Sequence, residues 1–129
     1  MKLWKSIALG LAAVGLVAGT GIVTTSHVSA ASYSSELKKD GTLTVGLEGT
    51  YKPFSYRNKN GKLVGYDVAV AKAVAKKLGL NVEFVQTKFD SLVAGLDADK
   101  YDVVYNDMSI TSERKKSYTF GSQYLYTHG

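Results

Sequence analysis

A repeated switch in hydrophobic period constrains this chain more than any other feature. Three short runs rich in apolar and β-branched residues, Thr42–Leu47, Asn81–Gln86 and Tyr101–Tyr105, alternate with segments of helical spacing. Between the first two runs, Val68, Ala71, Val74, Ala75 and Leu78 mark one apolar helix face. Between the second and third, Leu92, Val93 and Leu96 mark the inward face of a shorter helix, Ser91 to Asp97. Strand, helix, strand, helix, strand predicts right-handed crossovers, and so an open, mostly parallel α/β sheet with flanking helices.

Local chemistry supplies the expected boundaries. Asp67 is placed to cap the first helix and Asp90 the second. Gly79 is placed to end the first helix in a left-handed conformation, with Lys76 and Lys77 near the negative end of its dipole. Glu48 to Phe54 reads as a loop punctuated by Gly49 and Pro53. Asn60-Gly61, between Phe54–Arg57 and Lys62–Val64, predicts a two-residue hairpin turn. Beyond Arg114, Tyr118–Phe120 and Gln123–Tyr126 read as short extended pieces. The aromatic residues of the last stretch have no following helix to cover them, which predicts an incomplete unit.

The first 30 residues have the makings of an export signal. Lys2 and Lys5 form a basic start, Ile7 to Val23 an apolar stretch, and Val28-Ser29-Ala30 a small-residue site for cleavage after Ala30. An uncleaved anchor is the alternative, although the apolar stretch is short for a span of about 20 residues. The expected layout is therefore signal 1–30, flexible lead-in 31–40 and folded unit 41–129. With no cysteine, the chain has no disulfide, no thiolate metal site and no acceptor for lipid anchoring.

The net charge of +5 overstates the basicity of the folded part. Two of the 16 basic residues lie in the signal, and the lysines beyond it are dispersed. Without a basic stripe interleaved with aromatics, nucleic-acid binding is not expected. Catalysis also lacks support, because His27 falls in the signal and His128 at the terminus. No cofactor or metal is expected, since no His, Cys or carboxylate spacing has the form of a metal site.

The polar residues converge elsewhere. Val103 and Val104 lead directly into Asn106, Asp107, Ser109 and Thr111, which fall at the carboxyl end of the third strand, where open α/β sheets bind ligands. Arg114 adds a planar fork suited to a carboxylate or phosphate. Thr111 or Ser112 could instead cap the helix that follows, a compatible role because a helix start is itself an anion site. This pattern describes a receptor for a small zwitterion better than a catalytic centre.

Four ordered patterns carry a family resemblance: Val45-Gly-Leu-Glu-Gly-Thr-Tyr-Lys-Pro-Phe54, Gly61-Lys-Leu-Val-Gly-Tyr-Asp67, Lys100-Tyr-Asp-Val-Val104, and Ser109-Ile-Thr-Ser-Glu-Arg114 with Tyr118-Thr-Phe120 behind it. Over residues 36 to 126 the chain resembles the extracellular solute-binding proteins of amino-acid ABC transporters. The resemblance implies a periplasmic-binding-protein-like fold of two lobes, of which this chain holds most of the first, exported and monomeric. It implies a polar amino acid as ligand, with cystine favoured by the Asn106-to-Ile110 pattern, and a membrane permease as partner. Arg114 resembles the family's carboxylate-binding arginine, assisted by Ser109 and Thr111. Asn106 and Asp107 fall where the ligand's ammonium is met, although Asp107 can equally serve as a turn residue. Tyr51 and Phe54 resemble an aromatic wall, with core packing the alternative for Phe54. Glu48 falls where an acid faces the ligand side chain, or is a solvated loop charge. A cyclohexadienyl-dehydratase-like enzyme of the same fold, and a non-functional incomplete lobe, are the alternatives.

Overall fold

The computed structural model describes residues 35–126, so the signal, its cleavage site, the start of the lead-in and His128 lie outside the described residues. The first strand, β1 (Thr42–Leu47), is buried along its whole length. It is followed by a small antiparallel ladder of β2 (Tyr56–Arg57) and β3 (Leu63–Val64), then helix α1 (Tyr66–Lys77). Strand β4 (Asn81–Gln86), helix α2 (Phe89–Asp97), strand β5 (Val103–Val104) and a short helix α3 (Ser112–Ser117) complete the order. The main sheet runs β4-β1-β5, all parallel, with Thr42 opposite Asn81, Leu47 opposite Gln86 and Val45 opposite Val103. The predicted α/β class and parallel sheet are what the chain adopts.

Burial follows from this order. As the central strand, β1 is covered on both faces, the usual state of a parallel sheet. Leu43 and Val45 pack with Ala71 and Ala75 of α1 and with Leu80, while Phe84, Val82 and Tyr105 close the cluster. Each fully buried aliphatic side chain contributes about 1.5–3 kcal/mol. The opposite face of β1 meets Tyr101. A Cβ on Gly46 would lie 2.6 Å from the Tyr101 ring, and one on Gly95 of α2 would lie 2.1 Å from its hydroxyl. Tyr101 therefore fills a slot between strand and helix, and its hydroxyl donates to the Leu92 carbonyl at 2.5 Å.

Asp102 ties the sheet at its amino end. Its carboxylate accepts from the amides of Lys38 and Thr44, both at 2.7 Å, and from the Thr44 hydroxyl at 2.5 Å.

Several boundaries differ from expectation. The cap of α1 is Gly65, whose φ of 130° and closeness to the Phe54 carbonyl leave no room for a side chain. Asp67 sits inside the first turn and is buried. No side-chain cap is needed, because the amides of Tyr66 and Asp67 donate to the carbonyls of Pro53 and Phe54. Helix α2 begins at Phe89 with Lys88 as its cap, so Asp90 lies within the first turn rather than before it. The link from β4 is only Thr87-Lys88, too short to hold Asp90 outside the helix. The hairpin has a five-residue connection, Asn58–Lys62, because Arg57 pairs with Leu63. Asn58 organises it, its side-chain oxygen accepting from the amides of Asn60 and Lys62. The third strand contracts to Val103–Val104. Residues 118–126 are irregular and carry no strand pairing. Gly79 follows α1 with a φ of 70°, as its expected role requires. Among the described residues, no helix is long and apolar enough to cross a membrane.

Candidate functional site

The carboxyl ends of β1 and β5 lie side by side, and the residues leaving them interlock. The Asn106 side chain is almost wholly buried, at 2 % exposure. Its oxygen accepts from the Glu48 amide at 2.8 Å and its Nδ2 donates to Glu48 Oε2 at 3.0 Å. This reciprocal pair fixes the backbone and the carboxylate of Glu48 together. One residue on, Gly49 donates its amide to the hydroxyl of the fully buried Ser55 at 3.1 Å. Ser55 closes the tight loop by accepting the Tyr51 amide at 2.6 Å. The loop presents Tyr51, 44 % exposed, against the half-buried Phe54 ring, with centroids 4.9 Å apart.

After β5 the chain turns at Asp107, which adopts φ 46°, and reaches α3. Thr111 caps that helix, its hydroxyl accepting the Arg114 amide at 3.2 Å, so the capping alternative raised by the sequence is the one formed. The Arg114 guanidinium folds back to donate from one nitrogen to the Ser109 carbonyl at 2.9 Å. That bond orients the fork, and no carboxylate of the described residues pairs with it: Glu113 bonds Lys116 instead, at 2.9 Å. Ser109 is exposed.

Two concavities adjoin these elements. A groove of about 710 Å³ runs along the free edge of β5, with Val70 and Val74 of α1 and Val93 and Leu96 of α2 among its walls. Asn106, Asp107, Ser109 and Arg114 also line it. A recess of about 250 Å³ lies at the ends of β1 and β4, lined by Glu48, Thr50, Gln86, Thr87 and Lys88. Of the expected residues, Tyr51, Phe54 and Thr111 line neither.

A second polar cluster lies behind Asp107. The Asp67 carboxylate is fully buried, accepts the Tyr124 hydroxyl at 2.7 Å through Oδ1, and leaves Oδ2 without a partner. Burial holds its carboxyl above the usual carboxylate range, and the Asp107 charge adds to this. The Tyr124 hydroxyl is raised as well, by burial first and then by its bond to Asp67. Tyr66 donates to the Tyr124 carbonyl at 3.0 Å, and the Tyr105 ring lies 5.7 Å away. Sequence reasoning missed this cluster because its partners are 57 residues apart.

The chain is similar to several known proteins. An L-cystine-binding protein of Escherichia coli is 41% identical over 122 residues, covering 95% of this chain and 45% of that protein. The solved L-cystine receptor of Neisseria gonorrhoeae, unliganded and open, is 58% identical over 58% of this chain and 32% of that one, with TM-score 0.57. Domain 1 of the T. maritima arginine-binding protein, solved with arginine bound, matches with TM-score 0.66 and 38% identity over 73% of this chain and 71% of that one. An ancestral cyclohexadienyl dehydratase is similar too, 47% identical over 66% of this chain and 35% of that one, TM-score 0.62. The chain spans less than half the length of the curated relatives it matches. The family model matches residues 43–129. This chain belongs to the bacterial extracellular solute-binding proteins, family 3.

Proposed function

We propose that this lobe captures a polar amino acid outside the cell, cystine being the leading candidate, for delivery to an ABC transporter permease. The observation that carries the reading is Arg114, held by the Ser109 carbonyl at the carboxyl end of the sheet with no acidic partner among the described residues. An oriented guanidinium of this kind offers a bidentate seat to a carboxylate. Ser109 and the amino end of α3 add donors, Asp107 faces the ligand's ammonium, and Tyr51 with Phe54 forms an aromatic wall. Similarity to two cystine-binding proteins supports the ligand, and the arginine-bound domain 1 of a relative supports binding by a first lobe alone. Residues 41–129 would then be most of the first lobe, an incomplete solute-binding lobe, preceded by a signal cleaved after Ala30.

Calorimetric titration of the chain with a panel of amino acids tests the proposal. Arg114→Ala is expected to cost about 2–4 kcal/mol of binding, as for loss of one partner from a desolvated charge pair. Unchanged affinity would remove Arg114 from the site. The dehydratase reading rests on the likeness to the ancestral enzyme. The raised carboxyl of Asp67 is its natural acid, yet at 0% exposure that group is sealed from substrate. Turnover of a carboxylated cyclohexadiene would establish the enzyme instead.

A further inference from the structure

Among the described residues, Asp67 is the one carboxylate withdrawn completely from water, and the amino-acid site makes no direct use of it. Its Oδ1 accepts the Tyr124 hydroxyl at 2.7 Å, while its buried Oδ2 has no hydrogen-bond partner. An ionised carboxylate enclosed in this way is costly, and a proton on Oδ2 removes the charge. Two titratable groups of other elements face it: Tyr124 from the irregular segment after α3 and Asp107 from the loop after β5. No cation of the described residues acts on it. Burial does most to raise the Asp67 carboxyl and the Tyr124 bond lowers it in part. The Asp107 charge then raises it, and the Asp107 amide lowers it. The Tyr66 and Tyr105 rings lie against Tyr124, with centroids 6.0 and 5.7 Å from its own. Asp107 and Tyr124 line the groove beside β5 and Asp67 does not, so a ligand can meet Asp107 without touching Asp67.

We propose that amino-acid capture by this lobe is linked to proton release: the ligand's ammonium, docking at Asp107, expels the proton that the buried Asp67 holds while the site is empty. Neighbouring carboxylates compete for positive charge. With the site empty, the proton on Asp67 relieves its repulsion with Asp107. With the ammonium in place that repulsion is offset, and Asp67 ionises with the Tyr124 hydroxyl still donating to it. One positive charge enters the cluster as one leaves, and the proton passes to solvent. Residues 118–126 carry no strand pairing, so local opening of this strap gives the proton a way out. Binding linkage is reciprocal. Affinity should therefore rise as pH passes from the Asp67 value of the occupied site to the higher value of the empty one, and then level off. This linkage rests on the amino-acid reading above, which puts the ammonium at Asp107.

The test is calorimetry of L-cystine binding to the full chain between about pH 5 and 7, where the ligand's own groups hold their charges. Paired buffers of different ionisation heat count the protons released. The native chain should release a fraction of a proton per cystine, and its affinity should strengthen about three- to tenfold, as for a coupling of roughly half to one pKa unit. Asp67→Asn keeps an acceptor for Tyr124 and should bind at the native chain's low-pH affinity, with no proton release and no rise. Tyr124→Phe removes a bond that lowers Asp67, so the rise should move to higher pH, which a merely structural role would not produce. Should Asp67→Asn fail to fold, an unmoved rise in Tyr124→Phe overturns the proposal. Proton release that persists in Asp67→Asn assigns the titration to another group and overturns it as well. Cystine binding by the native chain without proton release removes the linkage and leaves the amino-acid reading standing. If the native chain binds no cystine across this range, that reading fails and the linkage falls with it.

Discussion

Two aspartates, Asp67 buried and Asp102 half-buried, show how one residue type is turned to opposite uses. Asp102 is pushed up by burial, but the Thr44 hydroxyl and the amides of Lys38 and Thr44 outweigh this and hold it below the usual range. A carboxyl lowered by folding contributes stability above its unfolded value of about 4, and that contribution is lost as pH falls through the folded value. Asp67 is raised, by burial above all. Its folded state binds more protons just above pH 4, so stability declines as pH rises from there through the folded value and then levels off. Asp67→Asn should therefore flatten the loss of melting temperature on the alkaline side of pH 4. Asp102→Asn should lower stability above pH 4 and flatten the loss below it. Identical pH profiles for the two variants would contradict the assignment. Tyr124→Phe, which strips Asp67 of its only side-chain donor among the described residues, should cost about 1–3 kcal/mol as a buried acceptor left unpaired. None of this was legible in the sequence, where Asp67 reads as a helix cap. A cap and a buried first-turn acid share one local pattern, and only the far-off Tyr124 separates them.

At the scale of elements, periodicity served for the paired strands β1 and β4 and for α1. Strands β1 and β4 match their expected limits, as does the apolar face of α1 with Val68, Ala71 and Ala75 buried. Legibility failed where a neighbour decides the boundary. Strand β5 meets β1 over Val103–Val104 alone, so only two of its five expected residues form a ladder. The start of α1 depends on loop carbonyls from Pro53 and Phe54, which no local motif announces. Of the site, the residue types from Asn106 to Arg114 were readable because they are contiguous. The Asn106–Glu48 pair, 58 residues apart, was not. The Tyr101 slot gives a test at this scale. Gly46→Ala or Gly95→Ala inserts a methyl within 2.6 or 2.1 Å of that ring or its hydroxyl. Overpacking of this sort costs about 1–3 kcal/mol, or roughly 4–8 °C of melting temperature per kcal/mol in a domain this small. A melt unchanged in both variants would show that the slot relaxes freely.

For the whole molecule, one lobe presents a polar edge at the strand ends and an apolar groove along β5. The groove's walls, from Val70 to Leu125, leave apolar surface open to solvent, which predicts enhanced fluorescence of an apolar dye on the native chain. No enhancement would mean that the groove is closed in solution. The export reading makes a separate prediction, that the protein recovered outside the cell begins at Ala31, which amino-terminal sequencing checks. An amino-acid receptor organised around Arg114 must bind its ligand through that guanidinium. The most direct measurement is calorimetric titration of the chain and its Arg114→Ala variant with L-cystine. The chain should bind saturably and the variant more weakly by about 2–4 kcal/mol, whereas equal binding by both chains, or by neither, would overturn the role of Arg114.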